Sequence, residues 1–262
     1  MIKKVFFTGF SSSLILSCMI LVTLLTGCLP CYYAPNAQNV PLFKEKMQFN
    51  TSAAFKVGMY TIGTDIQSAF AATDHLGIMA NYSYFTGRES SFDWNDNEYS
   101  TTFRSNMLEL GLGYFQTFED KFVFEVYSGY GSDNINTEYD RYDTKGQSTL
   151  HYSSFFLQPA VGFYKSNVEL AFSTRFRILN YDWIDLDYAV EGDVKNTLLE
   201  LKNEPLCTAL EPAFTFRAGS ENIKFQFQVG VSFLMNKAEY FDYDPLNLNF
   251  GIIFTPKFKG KN

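Results

Sequence analysis

Cysteine, histidine and tryptophan are scarce in this chain, and each shortage removes a class of chemistry. Of four cysteines in 262 residues, Cys31 and Cys207 are too few and too far apart for a metal motif. A disulfide between them stays open in an oxidising compartment. The only histidines are His75 and His151. Gly-x-Ser-x-Gly, His-Glu-x-x-His, phosphate-loop and EF-hand spacings are absent, so no cofactor or metal is expected. Positive charge is also short, with 21 Lys and Arg against 28 Asp and Glu and a net charge of −7. Nucleic acid is disfavoured as a partner, because phosphate binding wants a basic stripe.

Aromatics are plentiful: 28 Phe and 17 Tyr, but only 2 Trp, an excess that favours strands. The N-terminus has a separate character. Lys3 and Lys4 precede an apolar run of 21 residues, Val5 to Leu25, which ends at Leu25-Thr26-Gly27-Cys28. A basic n-region, an apolar h-region and small residues before a cysteine read as a bacterial lipoprotein signal. Residues 1–27 are then a signal peptide, and Cys28 is acylated and begins the mature chain. An uncleaved membrane helix is the alternative, weakened by Ser11 to Ser13. Residues 28–46, broken by Pro30, Pro35 and Pro41, read as a lipidated tether, and 47–262 as the folded domain.

From there apolar and polar residues alternate to the C-terminus. Leu246, Leu248, Phe250, Ile252 and Phe254 share one face, with Asn247, Asn249, Gly251 and Thr255 opposite; Ile223, Phe225, Phe227, Val229 and Val231 repeat the pattern. Such period-2 alternation is a strand with one apolar side. Ten strands are expected, near 47–56, 64–72, 75–85, 105–118, 121–131, 151–164, 167–179, 206–218, 223–233 and 246–258. Tight turns alternate with longer connections at 57–63, 86–104, 132–150, 180–205 and 234–245. Even strand number, short turns at one end and long loops at the other describe a single closed antiparallel up-and-down barrel of the outer-membrane kind. It puts both ends of the barrel domain on the short-turn, periplasmic side.

Alternation alone does not say which face is outside. A soluble periplasmic barrel carrying a hydrophobic ligand shows the same period with its apolar residues inward. The membrane reading is favoured because the apolar face is too large for a ten-stranded lumen, while the other carries glycine and charge. On that register Glu109, Glu125, Glu169, Arg175, Arg177, Glu211, Arg217 and Lys224 point into the lumen. Four carboxylates and four cations should pair there, since an unpaired buried charge is costly. A structural plug is the favoured role; a small polar passage is the alternative.

The stretches 86–104, 132–150, 180–205 and 234–245 hold 18 acidic and 7 basic residues, an acidic rim suited to divalent cations on a lipopolysaccharide leaflet. Between 181 and 193, Asp182, Asp185, Asp187, Glu191 and Asp193 match no calcium cage. Tyr181, Trp183 and Tyr188 in that stretch suit contact with a surface glycan or protein. His151 is expected at the outer rim near Asp140 and Asp143. An Asp–His pair there would activate water for a rim enzyme acting on lipid or peptide, but an exposed strand-end histidine is the favoured reading, and no enzymatic activity is expected.

Tyr33-Ala34-Pro35-Asn36-Ala37-Gln38-Asn39-Val40-Pro41-Leu42-Phe43 resembles the start of outer-membrane β-barrel-like lipoproteins of Bacteroidota, where Asn-Val-Pro-Leu-Phe leads into the first strand. Ala72-Thr73-Asp74-His75-Leu76-Gly77 is similar to their first tight turn. Gly251-Ile252-Ile253-Phe254 with Phe258 resembles the C-terminal signal read by the barrel-insertion machinery, although Pro256 stands where an aromatic is usual. The resemblance implies an outer-membrane location and no substrate. Leu29-Pro30-Cys31-Tyr32 lacks the acidic stretch such bacteria use for surface export, which implies an anchor on the periplasmic leaflet.

Overall fold

The computed structural model describes residues 31–92, 98–119, 121–141, 144–165, 167–187, 190, 192–236 and 241–256. The signal segment, Cys28, Asp143, Tyr188, Glu191 and Phe258 lie outside them. The strands are β1 (Phe49–Val57), β2 (Ile62–Ala71), β3 (Leu76–Phe92), β4 (Glu98–Phe118), β5 (Phe122–Arg141), β6 (Thr144–Lys165), β7 (Val168–Leu186), β8 (Leu206–Gly219), β9 (Ile223–Val231), β10 (Phe233–Leu234) and β11 (Leu246–Phe254). Each is antiparallel to the next from β1 to β9; β9 then pairs with β11, and β11 with β1. The ring is closed, so no edge strand is left to seek a partner. Phe233 faces Leu210 in the register that sets Gly230 opposite Ala213. β10 therefore prolongs β9 past Ser232, and the barrel has the expected ten staves.

The apolar face is outside. Phe225 is 49 % exposed and Leu112 68 %, whereas Lys56, Glu109 and Arg175 are fully buried. A soluble barrel with its Phe face around a ligand is contradicted by this orientation. Five strands run further than their alternation suggests. β5 continues through 132–141 and β6 begins at Thr144, so most of the expected loop 132–150 is strand. The apolar pattern stops there because it changes sides: Ile135, Leu150, Tyr152 and Leu179 are buried inside while Asn134, Asn136 and Glu138 are exposed. Asp133, expected on the acidic rim, lies inside the barrel as a result. The expected loop 180–205 contains the end of β7 and a helix, α1 (Gly192–Asn203). Val194, Leu198 and Leu201 fall on one face at helical spacing and pack on Tyr181 and Ile184 at the long-loop end.

The alternation of the strands says nothing about the course of the tether. Residues 31–43 are all buried and run through the barrel. Cys31 and Ala34 pack with Phe85, Phe103 and Tyr60 at the long-loop end, while Val40, Leu42 and Phe43 pack with Ala71, Phe115 and Tyr164 near the short turns. The sequence leaves open whether this tether plugs the lumen; the structure places residues 31–43 inside it. With Cys31 at the long-loop end, the geometric basis for an anchor on the periplasmic leaflet is lost. Cys31 and Cys207 are both buried and neither is part of a disulfide, so the Cys31–Cys207 bridge does not form.

Leu42 turns the segment out of the barrel with φ 53°, a left-handed conformation that costs an L residue about 1–2 kcal/mol. Its side chain rests where a Cβ on Gly162 would stand. Gly162→Val should therefore displace Leu42 and destabilise the barrel by about 1–3 kcal/mol, read as a lowered urea midpoint in detergent micelles.

Candidate functional site

An extended segment inside a barrel brings peptide groups that no sheet ladder satisfies, and buried backbone polar groups must find partners. The wall supplies them from inward-facing amide side chains. Asn247 Nδ2 donates to the carbonyl of Pro35 at 3.0 Å, Gln67 Nε2 to Ala37 at 2.8 Å and Gln228 Nε2 to Gln38 at 2.9 Å. Gln158 Nε2 donates to Asn39 at 2.7 Å and Asn50 Nδ2 to Pro41 at 2.7 Å. In return the Gln38 N–H donates to Gln228 Oε1 at 2.7 Å and the Leu42 N–H to Glu125 Oε2 at 3.1 Å. Six strands of the wall, β1, β2, β5, β6, β9 and β11, thus read one strandless stretch of backbone.

All eight sequence-predicted lumen charges face the interior, and the fold sorts them into two groups. In the first, Glu109 meets Arg177 at 2.6 Å and Arg175 at 3.7 Å, and Arg177 Nε lies 3.7 Å from Glu211. Asn36 of the threaded segment sits in the middle. Its Oδ1 accepts from Arg175 at 2.6 Å and Arg177 at 3.0 Å, and its Nδ2 donates to Glu109 Oε2 at 2.6 Å. Tyr33 donates its hydroxyl to Glu211. In the second, Glu169 bridges Arg217 at 3.5 Å and Lys224 at 3.1 Å near the short-turn mouth. Glu125 stands apart from both, holding the Leu42 amide. A cleft of about 470 Å³ at that mouth is closed inward by Pro41 and Leu42.

Further interior groups escaped the sequence reading. Asp133 accepts from Ser105 at 2.5 Å and from Tyr152 at 2.6 Å, and Asp65 accepts from Asn249 at 2.7 Å. The Lys56 ammonium lies 4.5 Å over the Phe85 ring. Strand parity could have found all three, since each shares its face with buried neighbours. Asp244 had no such signal: it sits in a loop and ties down the β1–β2 turn, accepting from Met59 N–H at 2.8 Å and Thr61 Oγ1 at 2.6 Å. Nearby, burial pushes the Asp242 carboxyl up to about 6, with Glu89 adding to the effect.

The rim groups also move. Asp140 pairs with Lys145 at 3.5 Å rather than with His151. The His151 ring instead meets Asp182 through Nδ1 and Ser132 Oγ through Nε2, the latter at 2.9 Å. His75 stacks on Tyr114 at 5.6 Å beside the short turn. Among the described residues no group of three or more His, Cys, Asp or Glu could hold a metal ion.

No protein-family model matches the chain, and no curated protein matches it. Among solved structures, an outer membrane channel from Pseudomonas putida F1 is similar with a TM-score of 0.42 and 8 % identity, over 84 % of this chain and 100 % of that one.

Removing one partner from a buried ion pair leaves an uncompensated charge and costs about 3–5 kcal/mol. Glu109→Ala, which strips Arg175 and Arg177 of their nearest carboxylate, should lower refolding stability in detergent by that amount. At the long-loop end, Asp242 binds its proton more tightly folded than unfolded. Its contribution is therefore full below about pH 4 and lost as pH rises through 6. Asp242→Asn should flatten the urea midpoint between pH 4 and 7.

Proposed function

We propose that this protein is an outer-membrane β-barrel lipoprotein whose own N-terminal segment seals it, with a structural and surface-presenting role rather than that of an open conduit. The single observation that carries this is the course of residues 31–43 through the barrel, held by wall amides and by the Glu109–Arg175–Arg177 group around Asn36. A wall so specifically paired with its filling is built to keep it. The exposed Phe, Leu and Ile of the outer face support burial in lipid, where a closed ring satisfies every backbone group.

In this reading the long strands carry β3–β7 beyond the bilayer, and α1 and Trp183 face the outside, placed for contact with lipopolysaccharide, a surface glycan or a protein. Three residues span at most about 10 Å. A lipid on Cys28 would therefore sit near the long-loop rim, in the outward leaflet.

Three measurements test the proposal. Detergent-solubilised protein should migrate differently on SDS gels with and without boiling; one mobility throughout would sink the membrane barrel. Reconstituted in planar bilayers, the intact chain should give no steady conductance, and a chain lacking 31–43 should give open-pore currents. Stable conductance from the intact chain would overturn the seal. An epitope inserted after residue 29 should be reached by antibody on intact cells. Detection only after permeabilisation would refute the outward N-terminus.

A further inference from the structure

The outer wall carries a constellation that the sealed-barrel role leaves unused. Ser132 on β5, His151 on β6 and Asp182 on β7 are consecutive across three strands, and all three side chains point outward. A carboxylate can only accept, so His151 Nδ1 carries the proton toward Asp182, and in the neutral ring Nε2 is the acceptor for the Ser132 hydroxyl at 2.9 Å. This is a nucleophile, a base and an orienting carboxylate in hydrogen-bond sequence, an arrangement recognised by geometry and not by chain order. Chain order hides it, because the three are 19 and 31 residues apart.

Two further observations say what it faces. The register places Leu110, Tyr130, Phe155 and Ile178 in one ladder row on the short-turn side of the trio, and Arg104, Asn136, Thr149 and Asp185 in a row on the long-loop side. The first row is large, apolar and exposed, the second polar. The trio therefore sits at the line where the apolar belt ends. Secondly, the pairing of β6 with β7 slips between His151 and Ser153, a β-bulge of the kind that re-aims side chains at functional sites. It turns two consecutive residues, Asp182 and Trp183, to the outer face against His151, both of them exposed. An aromatic of this kind marks a membrane–water boundary.

We infer that Ser132, His151 and Asp182 form a serine hydrolase site on the barrel's outer wall, acting on ester-linked fatty acyl chains of the outward leaflet. The inference rests on the membrane reading above and revises the expectation of no catalysis. Ser132 Oγ attacks the acyl carbonyl carbon as His151 Nε2 takes its proton. Collapse of the tetrahedral adduct breaks the ester C–O bond, and His151 returns the proton to the leaving alcohol. Water then attacks the acyl-serine with His151 as base, releasing the fatty acid and restoring Ser132. Asp182 holds the imidazole in the required tautomer and steadies the imidazolium. The Ser132 row continues directly into Ser153 and Asn180, and in this proposal their hydroxyl and amide serve as the oxyanion donors.

The test uses the full mature chain in mixed micelles. A fluorophosphonate should label it by forming a P–O bond to Ser132 with loss of fluoride. Labelling should vanish in Ser132→Ala and persist in Ser128→Ala, which changes a serine of the same strand and face. Fatty acid release should be followed from phosphatidylethanolamine vesicles and, separately, from lipopolysaccharide; release from one alone identifies the acyl source. His151→Ala and Asp182→Asn should lower that release by at least about 10³-fold. Heat-dependent migration of every variant separates a lost barrel from a lost site. A folded wild-type chain that takes no label and frees no fatty acid from either lipid would overturn the inference, as would labelling that survives Ser132→Ala.

Discussion

The backbone of residues 31–43 is the constraint to which the rest of the interior answers. It forms no sheet ladder, yet it lies where bulk water does not reach, so its carbonyls and amides must find partners: Tyr32 and Tyr33 pair with the backbone of Asp242 and Asp244, and most of the others named above with side chains of the wall. That requirement explains an interior lined with Asn and Gln from distant strands, and it explains Asn36. One amide there accepts from two guanidinium groups and donates to the carboxylate between them. Without it an N–H of Arg175 and one of Arg177 would lose the Asn36 Oδ1 acceptor they share. The charges of the wall and the polar groups of the segment are thus one network, and neither is complete alone.

The same economy governs the two polarities of the wall. Below the level of Ser132 the strands put apolar residues outside and charge inside; above it they put Ile135, Leu150, Tyr152 and Leu179 inside and polar residues outside. Apart from β7, which slips by one residue against β6 at this level, the staves keep one backbone register while exchanging the character of their faces. The long-loop end is accordingly closed by an ordinary hydrophobic core, with α1 as its cover. The short-turn end is closed by Leu42, Phe43 and the Glu169–Arg217–Lys224 group.

Interior and exterior differ in what chemistry they permit. Inside, Glu109, Arg175 and Arg177 are fully buried and directed at one another, an arrangement that fixes structure and offers no access to a substrate. Outside, His151 and Asp182 are 28 % and 37 % exposed along their side chains, hydrogen-bonded yet reachable. The proposed hydrolase site and the proposed seal therefore coexist without competing for residues: one uses the inward parity of β5, β6 and β7, the other the outward parity.

By itself the sequence determined the barrel. Period-2 alternation in segments such as Ile223–Val231 and Leu246–Phe254 dictates strands, their even number and their short turns dictate closure, and parity places the eight lumen charges on one face. All of these are local properties that a pattern can carry. The tertiary structure decided the rest. Prolines at 35 and 41 forbid regular structure in 31–43 but do not say where an irregular segment goes, since its partners Gln67, Gln158 and Gln228 are scattered along the chain. The extension of β3–β7 was hidden because the apolar side switches where the surroundings change. Ser132, His151 and Asp182 became neighbours only through pairing of three strands and one bulge. Local periodicity fixes which way a side chain points, whereas what it meets there depends on register between distant segments.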